Sequence, residues 1–87
     1  MSTVSLTLIG KPGCHLCDDA REVVRSVIAD LPAGGPEVTV EERDILQEPE
    51  LHEKYVEDIP VVLVDGRMHT YWRVDPVRLR TALLEAR

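Results

Sequence analysis

Hydrophobic and polar residues alternate along the first segment of the chain and predict a β-strand. From Ser2 to Ile9 every second residue is apolar, which is the period of a strand with one buried face. The segment ends on two apolar residues, Leu8 and Ile9, so we expect this strand at the centre of a sheet. The next residues, Lys11–Gly13, include a proline and a glycine and predict a turn.

After this turn the hydrophobic period becomes that of a helix. Between His15 and Leu31 apolar residues recur every three or four positions, which predicts an amphipathic helix with one buried stripe. The stripe consists of Leu16, Ala20, Val23, Val24, Val27, Ile28 and Leu31. The prolines and glycines of residues 31–36 end the helix.

A second strand and a short helix follow. Residues 37–43 alternate again and predict a strand that is half exposed. Pro49 suits the first turn of a helix, and Leu51 and Tyr55, four residues apart, share its inner side.

The last third of the chain predicts a hairpin and a closing helix. Pro60–Val64 is typical of a buried strand, Asp65–Gly66 indicates a two-residue hairpin turn, and Arg67–Trp72 supplies the returning strand. Asp75 and Pro76 suit the N-cap and first position of a helix. Its inner face carries Leu79, Ala82, Leu83 and Ala86.

The predicted order of elements is β-α-β-α-β-β-α. Strand–helix–strand units need right-handed crossovers between parallel strands, and the hairpin adds an antiparallel edge. The sequence therefore predicts one α/β domain over residues 1–87, with a four-stranded mixed sheet and helices on both faces.

Composition and charge disfavour some classes of function. The chain has sixteen acidic against ten basic residues, a formal net charge of -6, which disfavours binding to nucleic acid or to an anionic membrane. No apolar run approaches the ~20 residues of a transmembrane helix, and Met1–Gly10 lacks the basic start of a signal peptide. We expect a soluble, cytoplasmic monomer.

The two cysteines, Cys14 and Cys17, lie too close together to cross-link a small core usefully, so we expect a chemical role. Cys14 falls at the N-cap or first position of the predicted helix, where unpaired amides favour a thiolate. Lys11 and His15 add positive charge there, while the acidic first turn of the helix, which contains Asp18 and Asp19, opposes it.

A C-x-x-C pair between a strand and a helix is typical of a redox motif. Cys14 would attack a disulfide, and Cys17, one turn later and shielded by the helix, would resolve the mixed disulfide. Reduction of protein or mixed disulfides follows as the expected function.

Other roles of the cysteine pair stay open. A zinc site needs four ligands, of which the motif supplies two, and His52 and His69 lack ligand spacing to each other. A zinc site or iron–sulfur cluster shared by two chains, or an inert buried pair, are further alternatives. The main rival is a non-enzymatic module that binds a metal or a protein partner through this loop. A third hypothesis is that the protein donates electrons to a single enzyme, which its acidic surface would help to select.

Ile59–Pro60 opens the third predicted strand. One explanation for a proline at this position is that proline is tolerated at the start of a strand. The other is a cis peptide bond that turns the backbone of Ile59 toward the cysteines and offers it to an extended substrate. Only ~5–6% of X–Pro bonds are cis in folded proteins.

Taken together, Lys11–Cys17 after a first strand and Ile59–Pro60 before a buried strand resemble the glutaredoxin family of the thioredoxin superfamily. The chain is most similar to short bacterial glutaredoxin-like proteins with a G-C-H-L-C motif, and the resemblance covers nearly its whole length. It implies a thioredoxin/glutaredoxin fold and thiol–disulfide oxidoreductase activity. It also implies that Cys14 is the nucleophile, Cys17 the resolving cysteine and Pro60 a cis-proline.

The resemblance implies substrate contacts as well. Lys11 matches a lysine that meets a glutathione carboxylate, and Ile59 would lend its backbone to the substrate. Glutathione or another low-molecular-weight thiol would then be a co-substrate rather than a bound cofactor. Alternatively, a reductase would supply the electrons for a disulfide-containing protein.

Two departures from the glutaredoxin pattern concern glutathione. The pair between the cysteines is His15-Leu16 instead of Pro-Tyr, and His15 is a candidate for tuning the reactive sulfur. The Gly-Gly step before an aspartate is replaced by Trp72-Arg73-Val74, and only Asp75 remains. Arg73 could pair with a carboxylate instead, whereas the ring of Trp72 is expected to serve core or edge packing.

Overall fold

The computed structural model describes residues 3–86, so Ser2, the predicted start of the first strand, lies outside the described residues, as do Met1 and Arg87. Seven elements form in the predicted order. They are β1 (Thr3–Gly10), α1 (His15–Ala29), β2 (Glu37–Asp44), α2 (Pro49–Tyr55), β3 (Val61–Val64), β4 (Arg67–Tyr71) and α3 (Pro76–Glu85).

The four strands form one mixed sheet in the order β2-β1-β3-β4. Strand β1 is central, as its apolar end predicts, and it pairs in parallel with β2 and antiparallel with β3. The hairpin between β3 and β4 turns at Asp65 and Gly66, which both have positive φ, 50° and 82°. This is the geometry of the predicted two-residue turn.

Helices cover both faces of the sheet and bury two separate clusters. One face packs against α1 and α3, and its buried residues are Val4, Leu6, Leu8, Ala20, Val24, Val27, Val62, Leu79 and Leu83. The other face packs against α2, and its buried residues are Ile9, Ile45, Tyr55 and Val61. The two apolar residues at the end of β1 divide between these clusters, which fixes that strand inside the sheet.

The first helix begins at His15, as predicted, and differs from its prediction in its buried stripe and at its C-terminal end. Its buried stripe begins at Cys17, which is 2% exposed, while Leu16 is only partly buried. The helix ends at Ala29 with Asp30 as its C-cap, two residues before Leu31. Cys17 therefore joins the buried stripe of α1, although hydrophobic periodicity alone did not include it.

The pairing of the strands aligns four residues across one end of the sheet. Asp44 pairs with Gly10, and Ile9, the residue before Gly10, pairs with Val61, the residue after Pro60. The amide of Trp72 donates to the carbonyl of Pro60 at 2.8 Å. We call these four residues the end row. The chain leaves this row at Gly10 to form the cysteine loop, so the row underlies the candidate site.

None of the helices within residues 3–86 is long and apolar enough to cross a membrane.

Candidate active site

Cys14 caps the N-terminus of α1. Its backbone is extended (φ -105°, ψ 113°), and its sulfur accepts the backbone N–H of Cys17 at 3.3 Å. Gly13, with φ +76°, makes the turn that delivers the chain to this position. A sulfur in an N-cap position receives amides that no carbonyl satisfies, and these amides favour a negative charge. The predicted placement of Cys14 is confirmed.

Cys17 lies beside Cys14 on the inner side of the helix. Its sulfur is 2.6 Å from that of Cys14, and both residues are free cysteines. A disulfide bond measures about 2.05 Å, so bridging the pair requires only a small movement. Cys14 is partly exposed and Cys17 is buried, which gives an outside molecule access to Cys14 alone.

Gly10, in the end row, makes room for the second cysteine. A Cβ on this residue would lie 2.8 Å from the sulfur of Cys17 and 3.2 Å from its Cβ. Any larger side chain would therefore push Cys17 off the sheet. From the sequence, Gly10 is expected only to end a strand, although a glycine that follows an apolar strand is a signal of close approach.

The thiol of Cys17 is held in its protonated form. Burial is the main reason that its pKa rises from 9.0 to about 11, and its hydrogen bond to Cys14 acts in the same direction. Charge on Cys14 and on Asp18 raises it further, while the backbone N–H of Lys11 lowers it. Two of the causes that raise this pKa therefore originate at Cys14.

The charged residues predicted to act on the cysteine pair contact it less directly than the sequence suggests. Asp18 pairs with Arg21 at 3.0 Å, and Arg21 also binds Glu42 at 2.7 Å, which partly neutralises the acidic first turn. Lys11 and His15 are exposed, and their side chains make no hydrogen bond or ion pair with any residue from 3 to 86. Lys11 acts on the pair through its backbone N–H instead.

The peptide bond between Ile59 and Pro60 is cis, and the buried Pro60 stands beside Gly10 in the end row. The N–H of Ile59 already donates to the carbonyl of Tyr55 at 3.2 Å. No donor within the described chain bonds the carbonyl of Ile59. This carbonyl is thus the open backbone group that an extended substrate could use.

Of the two expected positions for the ring of Trp72, core or edge packing, the structure shows the edge and not the core. Trp72 is 52% exposed and packs edge-to-face on Tyr71 at 5.0 Å, just beyond edge strand β4. Its φ of +65° lies in the region that favours glycine.

Asp75 caps α3, as predicted. Its carboxylate accepts the backbone N–H groups of Val77 at 2.9 Å and Arg78 at 3.2 Å. Arg73 is exposed and, with Leu16 and others, lines a cavity of about 180 Å³ between the start of α1 and residues 72–74. Neither residue touches the cysteines through a hydrogen bond or ion pair within the part of the chain that the structure describes.

Metal-ligating side chains do not gather near the cysteines. Residues 3–86 contain no group of three or more His, Cys, Asp or Glu side chains that could hold a metal ion. His69 lies on β4, where burial, and to a lesser degree the charge of Arg78, lower its pKa. The structure thus brings Cys14 and Cys17 together and packs Cys17 against Gly10.

Comparison with known proteins agrees with this geometry. Residues 5–84 match the model of the glutaredoxin-like domain family (DUF836). Uncharacterized proteins of Mycobacterium bovis and Mycobacterium tuberculosis are 32% identical to this chain over 80 residues, which cover 92% of this chain and 82% of theirs.

Solved structures share the fold. A structural-genomics target protein from X. campestris is 30% identical with a TM-score of 0.73, and the match covers 94% of this chain and 99% of that one. A Nitrosomonas europaea protein is 19% identical with a TM-score of 0.77, covering 95% and 94%. A mutant thioredoxin from Halobacterium salinarum is 21% identical with a TM-score of 0.62, covering 94% and 73%.

The thioredoxin-like fold and the adjacent cysteines at a helix N-terminus indicate redox chemistry. Because the family model spans nearly the whole chain, this chain belongs to the glutaredoxin-like domain family, and it shares the fold of thioredoxin.

Proposed function

We propose that this protein is a thiol–disulfide oxidoreductase that reduces disulfides through Cys14 and Cys17. The observation that carries this proposal is the pairing of an accessible sulfur, capped by a helix amide, with a buried sulfur 2.6 Å away. An inert pair of core cysteines would not need one member at a helix N-terminus and open to solvent.

In the first step, the Cys14 thiolate attacks one sulfur of a substrate disulfide. A bond forms between Cys14 and that sulfur, the substrate S–S bond breaks, and the second substrate sulfur leaves as a thiolate that takes up a proton. The amide of Cys17 stabilises the attacking thiolate, and the carbonyl of Ile59 is open to accept an N–H from the substrate backbone.

In the second step, Cys17 gives up its proton and attacks the sulfur of Cys14. The substrate sulfur that was bound to Cys14 leaves as a thiol. The cysteine pair has lost two electrons and is now a Cys14–Cys17 disulfide. Once Cys14 is in the mixed disulfide, its charge and its hydrogen bond no longer raise the pKa of Cys17. The resolving thiol therefore becomes easier to ionise when it is needed.

Reduction of the Cys14–Cys17 disulfide completes the cycle. Glutathione or another low-molecular-weight thiol, or a protein reductase, is the proposed electron donor. Lys11 and Arg73 are exposed cations near this end of the sheet, and each is a proposed partner for a carboxylate of such a thiol.

The test compares wild type with Cys14→Ser and Cys17→Ser, using bis(2-hydroxyethyl) disulfide and a disulfide-linked peptide as substrates. Wild type should turn over both when glutathione with its reductase, or thioredoxin reductase, supplies electrons. Cys14→Ser should be inactive, and Cys17→Ser should accumulate a mixed disulfide that mass spectrometry detects.

Metal analysis of freshly purified protein separates this proposal from the metal-binding module. Stoichiometric zinc that is lost in either cysteine variant, together with absent turnover, would contradict an oxidoreductase. A thiol count of two that falls to zero on mild oxidation and returns with dithiothreitol supports it.

A further inference from the structure

Trp72 is held in a conformation that large side chains rarely adopt. Its φ is +65°, its backbone N–H donates to the carbonyl of Pro60 at 2.8 Å, and its indole N–H donates to the carbonyl of Glu57 at 2.9 Å. A bulky residue at positive φ persists only where its surroundings fix it, and such residues concentrate at functional sites. The ring is thus fixed in place while 52% of the residue stays exposed.

The same backbone conformation places a second exposed ring beside the first. Consecutive residues of a regular strand point to opposite faces, yet the rings of Tyr71 and Trp72 meet at 5.0 Å with an interplanar angle of 80°. Tyr71 is 48% exposed. The two rings form one rigid apolar surface, which we call the aromatic step (Tyr71 and Trp72).

The aromatic step lies within reach of a substrate bound at the cysteines. Trp72 and Gly10 belong to the same end row, with Pro60 between them. Two strand spacings separate their backbones by about 10 Å, and Cys17 packs directly on Gly10. An extended peptide covers this distance with about three residues.

Two acidic residues that follow α2 contact Trp72 through their backbones. Glu57 and Asp58 accept hydrogen bonds from Trp72 through their backbone carbonyls, while their carboxylates make no hydrogen bond or ion pair with residues 3–86. Arg73, the next residue, lines the cavity toward α1 together with Trp72, and Asp19 lines the same cavity. An aromatic face with carboxylates nearby is the chemistry that binds guanidinium and ammonium groups, and the net charge of -6 favours the same partners.

We propose that the aromatic step binds a basic side chain of a polypeptide disulfide, an arginine or lysine two or three residues from the reacting cysteine. The inference deepens the proposed oxidoreductase function and rests on it. A basic side chain at this spacing from the reacting cysteine exists only in a polypeptide, so the step favours polypeptide substrates over small thiols.

The test measures kcat/KM for peptides that differ at one position, with Arg, Leu or Glu three residues before or after the disulfide-linked cysteine. Wild type should prefer the Arg peptide to the Glu peptide by about tenfold at low salt, and less at high salt. Trp72→Gly suits the positive φ, so the backbone is kept while the ring is removed. This variant should reduce the Arg-to-Glu ratio to below threefold.

Two further variants define the origin of the preference. Glu57→Gln should lower the Arg-to-Glu ratio about threefold and weaken its salt dependence. Leu84→Ala, at an exposed position in the last turn of α3, should leave the ratio as it is in wild type. General damage to the fold lowers the rates with all peptides alike and does not change the ratio.

An Arg-to-Glu ratio near one in wild type, or a preference that survives Trp72→Gly, would overturn this inference while turnover of bis(2-hydroxyethyl) disulfide still upholds the proposed function. Failure of wild type on every disulfide would overturn both.

Discussion

At the scale of single residues, the two cysteines owe their different environments to positions only three apart. Cys14 lies outside the first helical turn, where it meets an unpaired amide. Cys17 lies inside that turn, against the backbone of Gly10. One residue type therefore supplies an accessible sulfur and a protonated, buried one, and the difference comes from hydrogen bonding and burial alone.

The contact between Gly10 and Cys17 predicts the effect of one added methyl group. Gly10→Ala should lower the free energy of unfolding by about 1–3 kcal/mol, because a Cβ 2.8 Å from the Cys17 sulfur overpacks the site. It should also slow formation of the Cys14–Cys17 disulfide from a mixed disulfide. Urea unfolding and single-turnover release of a chromogenic thiol measure the two effects.

A double-mutant cycle provides the control for this prediction. In a Cys17→Ala background the same Gly10→Ala change should cost little, because the sulfur that it meets is absent. Equal costs in both backgrounds would contradict the assigned contact.

The raised pKa of Cys17 predicts how stability depends on pH. The folded protein keeps this proton up to about pH 11, while the unfolded chain loses it near 9.0. Between these values the native state binds more protons, so the stability of the reduced protein should fall as pH rises from about 9 to about 11. Denaturant midpoints measured across this range test the prediction.

Cys17→Ser, which has no thiol at this position, should lose less stability over the same pH range. The oxidised protein should behave like this variant, since its disulfide cannot titrate. Parallel curves for reduced wild type and Cys17→Ser would show that the thiol of Cys17 is not held protonated by the fold.

At the scale of elements, local signals were reliable where a single turn or cap decides the structure. The Asp65–Gly66 turn and the Asp75 cap of α3 formed as predicted, because each depends on a few neighbouring residues. Helix α1 was less well predicted, since its packing on β1 brings Cys17 into the buried stripe.

The cap at Asp75 predicts a loss of stability on substitution. Asp75→Ala should lower the free energy of unfolding by about 1 kcal/mol, because the amides of Val77 and Arg78 lose their acceptor. For a domain of this size, the melting temperature should fall by about 4–8 °C. Thermal unfolding followed by circular dichroism measures it.

Asp75→Asn keeps an acceptor at the same position and should recover most of the stability. If the asparagine variant were as unstable as the alanine variant, the charge of Asp75, and not its capping hydrogen bonds, would be the stabilising feature.

At the scale of the whole molecule, the sheet separates two cores and gathers the reactive groups at one of its ends. The larger cluster joins α1 and α3 to one face, and the smaller cluster joins α2 to the other. The end row lies where β1 and β2 end and β3 begins. The packing of both faces therefore positions the site.

Two positions on α3 test how much of the stability comes from this packing. Leu79 is fully buried, and Leu79→Ala should cost about 2–5 kcal/mol. Val77, two residues earlier and 71% exposed, is the matched position: Val77→Ala should change stability by less than about 0.5 kcal/mol. Urea titrations of both variants give the comparison, and similar losses would contradict the assignment of the core.

The sequence by itself determined the order of elements, the central position of β1 and the placement of Cys14 at the start of a helix. These follow from periodicity, turn chemistry and capping, which act over a few neighbouring residues. The tertiary structure alone decided that Gly10 makes room for Cys17 and that Trp72 is exposed at positive φ. The first depends on how α1 packs on β1 and the second on the hydrogen bond between Trp72 and Pro60, so neither is fixed within one element.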